Sequence, residues 1–377
     1  MKEKLIHFFK QETVLCAALA LAAFSMLLVR PDRSYLAYID FRTLAILFCL
    51  MGAMAGLQKT GVFQWIAQAL LARVRETRQL VWILVLLCFF SSMAVTNDVA
   101  LITFVPFTFT VLRLIGPETG RRLMVPIVVL QTVAANLGSM LTPIGNPQNL
   151  YLYGRAGLSL GSFLLLMLPY TCVSFLLILI QSTLQTRAYN IPIQVAFHEQ
   201  VRLSGKGLRL AGYLALFAVD LLAVARVIPY GLALFITVIG LLILDRSVFA
   251  QVDYSLLLTF VGFFVFIGNM GRLPVFYEFL QKIVSGHELL AGAAASQVIS
   301  NVPAALLLSG FTDSLSPLII GVNLGGLGTL IASMASLISY KLVAREATGI
   351  KSTYFRQFTI TNVFFLAVLL VFALTLG

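Results

Sequence analysis

Apolar runs recur along the whole chain, separated by short polar loops. A helix needs about 20 apolar residues to cross a hydrocarbon core. Runs near that length predict spans over 14–29, 41–58, 123–147, 161–183, 208–226, 230–244, 253–270, 316–340 and 354–376. Two further segments, 80–115 and 288–311, are apolar but interrupted midway by polar, turn-forming residues. The arms of the second, 289–299 and 303–311, are too short to cross separately, so it reads as a hairpin that enters and leaves on one face. The first has longer arms and takes the same reading from its counterpart. Stretches 61–77 and 274–287 mix aromatic residues with scattered charges, a pattern suited to helices lying in the interface. The expectation is an all-α polytopic membrane protein of about nine spans, two re-entrant helical hairpins and two broken helices.

Composition agrees and removes the alternatives. The chain is 60% hydrophobic and 11% charged, against about 25% charged in soluble domains. Its net charge of +11 sits in short loops rather than in a patch, so no nucleic-acid partner is expected. With the N-terminus inside, 19 of the 26 Lys and Arg fall on the cytoplasmic side. Only Arg30, Arg33, Arg42, Arg155, Arg226, Arg272 and Lys282 fall outside. That excess predicts a cytoplasmic N-terminus and an external C-terminus in the inner membrane. No small-residue cleavage site follows the first apolar run, which reads as a retained span. Cys16, Cys49, Cys88 and Cys172 lie within apolar runs, and His7, His198 and His287 lie near loops, so neither a disulfide framework nor a zinc site is expected.

The chain also repeats itself. Asp40-Phe41 opens a span ending at Gly56, and Asp253-Tyr254 one ending at Gly268. Thr96-Asn97 matches Ser300-Asn301 at the two hairpin tips. Asn136-Leu137-Gly138, Thr142, Ile144 and Leu150 match Asn323-Leu324-Gly325, Thr329, Ile331 and Leu337. Gly145, Asn146 and Asn149 meet Ala332, Ser333 and Ser336. By the charge tally the two copies run in opposite directions, the usual build of secondary transporters. The expected divisions are an N-terminal scaffold span (1–39), a first inverted repeat (40–183), a cytoplasmic connector (184–207), scaffold spans (208–252) and a second repeat (253–377).

Polar backbone at membrane depth must be buried in protein or line a watery cavity. Four such interruptions occur: Thr96-Asn97-Asp98, Thr142 to Asn149, Ser300 to Pro303, and Gly325 to Thr329. Asn97 and Asp98 suit a helix cap, Asn146-Pro147 a restart, and Pro303 a first helical turn. Each restarted helix points N–H groups and about +0.5 charge at its break. If the breaks meet, they make a site for a small anion without any buried Arg or Lys, while Asn, Ser and Thr oxygens suit Na⁺. Asp98 is a candidate coupling residue for Na⁺ or H⁺, since an acid inside the membrane is costly. Asp220, with Arg226 six residues on, reads as a structural hydrogen bond or ion pair.

These motifs resemble the ion transporter superfamily, which includes divalent anion/sodium symporters, citrate carriers, arsenite permeases and some sodium/proton antiporters. The resemblance covers about 40–376. It implies that Thr96-Asn97 and Ser300-Asn301 contact substrate and help form sodium sites, completed around Gly145-Asn146 and Ala332-Ser333. It further implies homodimers in which the hairpins and broken spans move like an elevator against a scaffold. The chain departs from the dicarboxylate symporters at Asp98 and Val302, which replace tip threonines, and in lacking a proline pair at the second break. Asp98 is closer to the arsenite-permease pattern. Residues and resemblance together assign substrate contacts to Thr96, Asn97, Asp98, Thr142, Asn146, Ser300, Asn301, Thr329 and Ser333. Ion ligands are assigned to Asn97, Asp98, Gly145, Asn146, Asn149, Ser300, Asn301, Ala332 and Ser336.

The leading expectation is a secondary transporter of a small carboxylate or inorganic oxyanion driven by Na⁺ or H⁺, with Na⁺ the one candidate bound ion and no cofactor. The alternatives are a Na⁺/H⁺ antiporter using Asp98, or an efflux permease for an oxyacid such as arsenite. No histidine falls within a span, which argues against an intramembrane hydrolase, and no ring of filter residues supports a channel.

Overall fold

The structure, a computed structural model, describes residues 12–187, 190–193, 195, 197, 201, 203, 207–346 and 349–376. The expected connector is therefore described only in part, and Lys2, Lys4, His7, Lys10, His198, Arg202 and Lys206 lie outside the described residues. The first half contains α1 Thr13–Leu28, α2 Tyr35–Tyr38, α3 Phe41–Thr60, α4 Val62–Leu71, α5 Thr77–Ala94, α6 Asn97–Leu114, α7 Pro117–Ser139, α8 Pro147–Arg155 and α9 Leu160–Thr186. The second contains α10 Gly207–Val224, α11 Tyr230–Leu244, a 3-10 turn Arg246–Gln251, α12 Tyr254–Gly271, α13 Pro274–Val284, α14 Glu288–Ile299, α15 Asn301–Ser309, α16 Leu315–Leu324, α17 Met334–Glu346 and α18 Lys351–Leu376. One isolated bridge, Glu76 to Pro192, is the only extended pairing among the described residues.

Among the described residues, eight helices are long and apolar enough to cross a membrane: α3, α5, α6, α7, α9, α10, α12 and α18. The expected spans at 14–29 and 230–244 are shorter, at 16 and 15 residues. The segment 316–340 is divided between α16 and α17. The expected span at 123–147 starts earlier, at Pro117, because Gly116 turns the chain at φ +108° and proline suits the first helical position. It then stops at Ser139, and the chain resumes at Pro147. The interfacial stretches are helical over shorter lengths than expected, as α4 and α13.

The arms of the first hairpin, α5 and α6, have 18 residues each, against 12 and 9 for α14 and α15. Each long arm could cross a bilayer alone. The helix packed against it is lengthened in step, with 23 residues in α7 against 10 in α16. The first tip consequently stops beside the 140–146 break. There the Asn97 N–H donates to the Gly145 carbonyl at 3.1 Å, and α8 carries the chain onward.

Small residues bring the backbones this close. A Cβ on Gly138 would lie 2.0 Å from the Phe89 carbonyl oxygen, and one on the matched Gly325 would lie 2.8 Å from Ala293 Cα. Around these elements α10 and α11 pack on α3, and α1 packs on α12. Asp40 and Asp253 cap α3 and α12 alike, accepting from the N–H groups of Thr43 and Leu256 at 3.0 and 2.9 Å.

Candidate functional site

Each break is built by local chemistry. At the first tip Thr96, not Asn97 or Asp98, is the cap. Its hydroxyl accepts from the Val99 N–H at 3.4 Å, and Asn97 begins the helix. Asn146 caps α8 by accepting from the Asn149 N–H at 2.9 Å, with Pro147 next. At the second tip the Asn301 N–H donates to the Ala332 carbonyl at 2.9 Å, the counterpart of Asn97 and Gly145. Two of the N–H groups expected to be free for an anion are therefore already engaged. Ser300 reaches this arrangement with φ +74° and makes no side-chain cap.

Two asparagines cross-connect the copies. Asn136 Oδ1 accepts from Asn97 Nδ2 at 3.0 Å and from the Ser333 hydroxyl at 2.9 Å, and its Nδ2 faces Ser336 Oγ at 3.5 Å. Asn323 Oδ1 accepts from Asn146 Nδ2 at 3.1 Å, and its Nδ2 donates to Asn149 Oδ1 at 2.6 Å. Each asparagine thus holds the matched pair of positions in the opposite copy's break. All seven residues are buried. Asn149 also donates to carbonyls of the 139–142 turn, at 3.1 Å to Thr142, so the break's own backbone is satisfied from within. The structure brings together Asn97, Asn146, Asn149, Ser333 and Ser336 in this network, with Gly145 and Ala332 as backbone acceptors beneath the two tips. Asn301 sits against Gly326, where its Nδ2 would lie 2.9 Å from an added Cβ.

Thr142 and Thr329 lie outside it. Each hydroxyl donates to a carbonyl three residues before its own tip: Thr142 to Met93 at 2.5 Å, Thr329 to Gln297 at 3.0 Å. Thr329 is exposed. Both tie a break to the incoming hairpin arm. Asn136 and Asn323 stand in the sequence as matched markers of the repeat, and their identity in both copies is the signal that sets them apart.

A cavity of about 190 Å³ adjoins the network on the side of the first tip. Thr96, Asp98, Asn146 and Pro147 form one wall, α3 residues including Leu50 and Gln58 another, and Gln251, Asp253 and Leu256 the third. It is large enough for a hydrated ion or small molecule. Its charged lining residues are both acids, and Asp98 Oδ1 is buried there without a hydrogen-bond partner among the described residues. Carboxylate, hydroxyl and amide oxygens together are the ligand set of a hard cation.

Asp220 lies elsewhere, buried between α10 and α11, where Thr237 donates to it at 2.7 Å. The hydrogen bond expected of it is present, but Arg226 is not its partner. Arg226 instead stacks over the Tyr153 ring at 5.2 Å and donates to the Tyr153 and Gly154 carbonyls at the end of α8. Arg155 caps α15 by donating to the Ser309 carbonyl at 3.0 Å, and Arg42 faces the last carbonyl of α10, Val224, at 3.4 Å. Three helix C-termini are met by cations there, as the helix dipole favours. Beyond the spans, the hydroxyl and N–H of Ser247, with Lys59, hold the Asp245 carboxyl down at about 2.

Broken helices meeting inside an apolar bundle define a class, the multi-pass membrane transporter, and comparison with known proteins gives the family. Residues 8–316 match the citrate transporter family, and the chain belongs to it. The chain is similar to inner membrane protein YbiR of Escherichia coli, at 33% identity over 82% of each chain. An uncharacterized transporter of Methanocaldococcus jannaschii is 31% identical over 81% of each. Magnetosome protein MamN of Magnetospirillum gryphiswaldense is 27% identical over 66% of this chain and 60% of its own. The resemblance read from the motifs is borne out by the family match.

Proposed function

We propose that the chain is a secondary active transporter of the inner membrane that moves a small anion, a carboxylate or inorganic oxyanion, coupled to Na⁺ or H⁺. The observation that carries this reading is Asp98: a carboxylate with an unpartnered oxygen, facing a cavity that abuts the crossed asparagine network. An anion held about 4 Å from an ionised Asp98 meets a repulsion of about 4 kcal/mol at an effective dielectric of 20. A proton or Na⁺ on Asp98 removes that term, so cation binding precedes anion binding and the two move together. With the first-turn N–H groups at Asn97 already engaged, the anion's attraction comes from the dipoles of the helices that start at Asn97 and Asn146, and Ser300, Asn301 and Ser333 close the site from the second copy. Alternating access by an elevator motion, and a homodimer to anchor it, follow from the superfamily resemblance. The family's description makes citrate the first substrate to try.

A Na⁺/H⁺ antiporter is the second reading, favoured by a cavity wall whose charged members, among the described residues, are the acids Asp98 and Asp253. Flux into proteoliposomes separates the two. Citrate, succinate, sulfate and arsenite are supplied under separate Na⁺ and pH gradients, to wild type and to Asp98→Asn. Gradient-driven anion accumulation is expected in wild type, and Asp98→Asn is expected to retain anion exchange while losing accumulation. Na⁺-driven proton movement without uptake of any anion reverses the ranking.

A further inference from the structure

A second pocket, remote from the tips, has a composition the transport reading does not use. It encloses about 570 Å³ where the end of α6 and the start of α7 meet Glu346 at the end of α17 and Ile350 just ahead of α18. Phe109, Leu112, Met124 and Ile350 make its apolar wall, and Arg113, Arg121 and Glu346 its charged rim. Arg113 is held by Glu346 across the two halves of the chain. Arg121 is exposed and has no carboxylate partner among the described residues. Basic side chains outnumber acids in the adjoining chain: Arg122, paired with Glu118 at 2.8 Å, precedes the apolar wall on α7, and Lys341, Arg345 and Lys351 flank Glu346 and Ile350 in sequence, all exposed.

Each wall belongs to a helix end at the rim of the spans. A site that is half aliphatic and half guanidinium, placed at that depth, suits a ligand that is itself divided. We propose that this pocket binds the headgroup of an anionic phospholipid, with the phosphate against Arg121 and Arg113 and the glycerol and first acyl carbons against Met124 and Ile350. Two features favour a lipid over soluble phosphate. The aliphatic wall offers a free phosphate nothing, and the pocket opens where headgroups are concentrated and basic side chains are attracted to an anionic leaflet. Because the rim joins α6 to α17, a bound lipid would staple the two halves at this edge.

The full chain, purified in detergent, is titrated with phosphatidylglycerol, with phosphatidylcholine and with phosphatidylglycerol plus excess inorganic phosphate, and bound lipid is counted by native mass spectrometry. Phosphatidylglycerol is expected to bind preferentially and to resist competition by phosphate. Arg121→Gln, which breaks no ion pair among the described residues, is expected to weaken it about fivefold, and Arg113→Gln/Arg121→Gln by roughly that factor again. Arg73→Gln/Arg246→Gln, which removes equal charge elsewhere, is expected to leave it unchanged. Met124→Trp, which fills the apolar wall and alters no charge, is expected to weaken binding and covers the event that the double variant fails to fold. Equal binding of phosphatidylcholine, displacement by inorganic phosphate, or full binding by both Arg121→Gln and Met124→Trp would overturn the assignment.

Discussion

An asparagine side chain offers one acceptor and two donors on a planar fork, and Asn136 and Asn323 use both ends across the boundary between the copies. Removing Asn136 takes the acceptor from the buried Ser333 hydroxyl and Asn97 Nδ2, while removing Asn323 takes the donor from Asn149 Oδ1 and leaves Asn146 Nδ2 its bond to Ser139 Oγ, at about 1–3 kcal/mol per group left unpaired. In membrane interiors such bonds average nearer 0.6 kcal/mol, so the fold is expected to tolerate the loss. Asn136→Ala and Asn323→Ala should therefore lower the thermal midpoint modestly while reducing anion flux more than tenfold, as read in parallel unfolding and proteoliposome assays. Flux within twofold of wild type in both variants would remove the network from the site. These two positions were visible in the sequence as an Asn-Leu-Gly shared by both copies. Their partners in the opposite copy were not, because residues 174 to 200 positions apart meet only through tertiary packing. Thr142 and Thr329 show the converse. Their match in sequence was read as ligand chemistry, whereas their hydroxyls serve the hairpin arms.

Helix breaks were the most legible elements, since proline, glycine and asparagine act on backbone torsions within a few residues. The two tips nevertheless differ in a way that only backbone angles reveal. Thr96 caps its helix at φ −67°, while Ser300 holds φ +74°, a region that disfavours any side chain. Glycine substitutions should therefore act with opposite signs. Ser300→Gly is expected to gain about 1 kcal/mol by relieving strain, and Thr96→Gly to lose a few tenths by removing the cap. Thermal unfolding in a fixed detergent checks the pair, and destabilisation by Ser300→Gly would contradict the strain. The longer arms of the first hairpin were legible as longer apolar runs, but where they stop relative to their neighbour was not: α5 and α6 are matched by a long α7, and α14 and α15 by a short α16.

Across the whole molecule, the matched contacts at Gly145 and Ala332, and the exchanged grips of Asn136 and Asn323, give the two halves one plan. The distribution of basic residues predicts that the halves run in opposite directions, an expectation open to direct test. In a cysteine-free background, Arg73→Cys and Lys282→Cys should react from opposite faces of intact cells. A membrane-impermeant thiol reagent is expected to label Lys282→Cys and to spare Arg73→Cys until the membrane is opened. Labelling of both from outside would overturn the inverted arrangement.

The sequence by itself determined the membrane class, most of the helices, the four interruptions and their correspondence. Lipid cannot satisfy a backbone polar group, so every crossing segment must write its helix, and every exception to it, into its own residues. Tertiary structure alone decided which side chains close the breaks, that Asp98 faces a cavity shared with Asp253, and that Arg226 serves α8 rather than Asp220. Those are contacts between distant segments, set by how lengths, glycine approaches and helix ends fit together, and no local pattern encodes them.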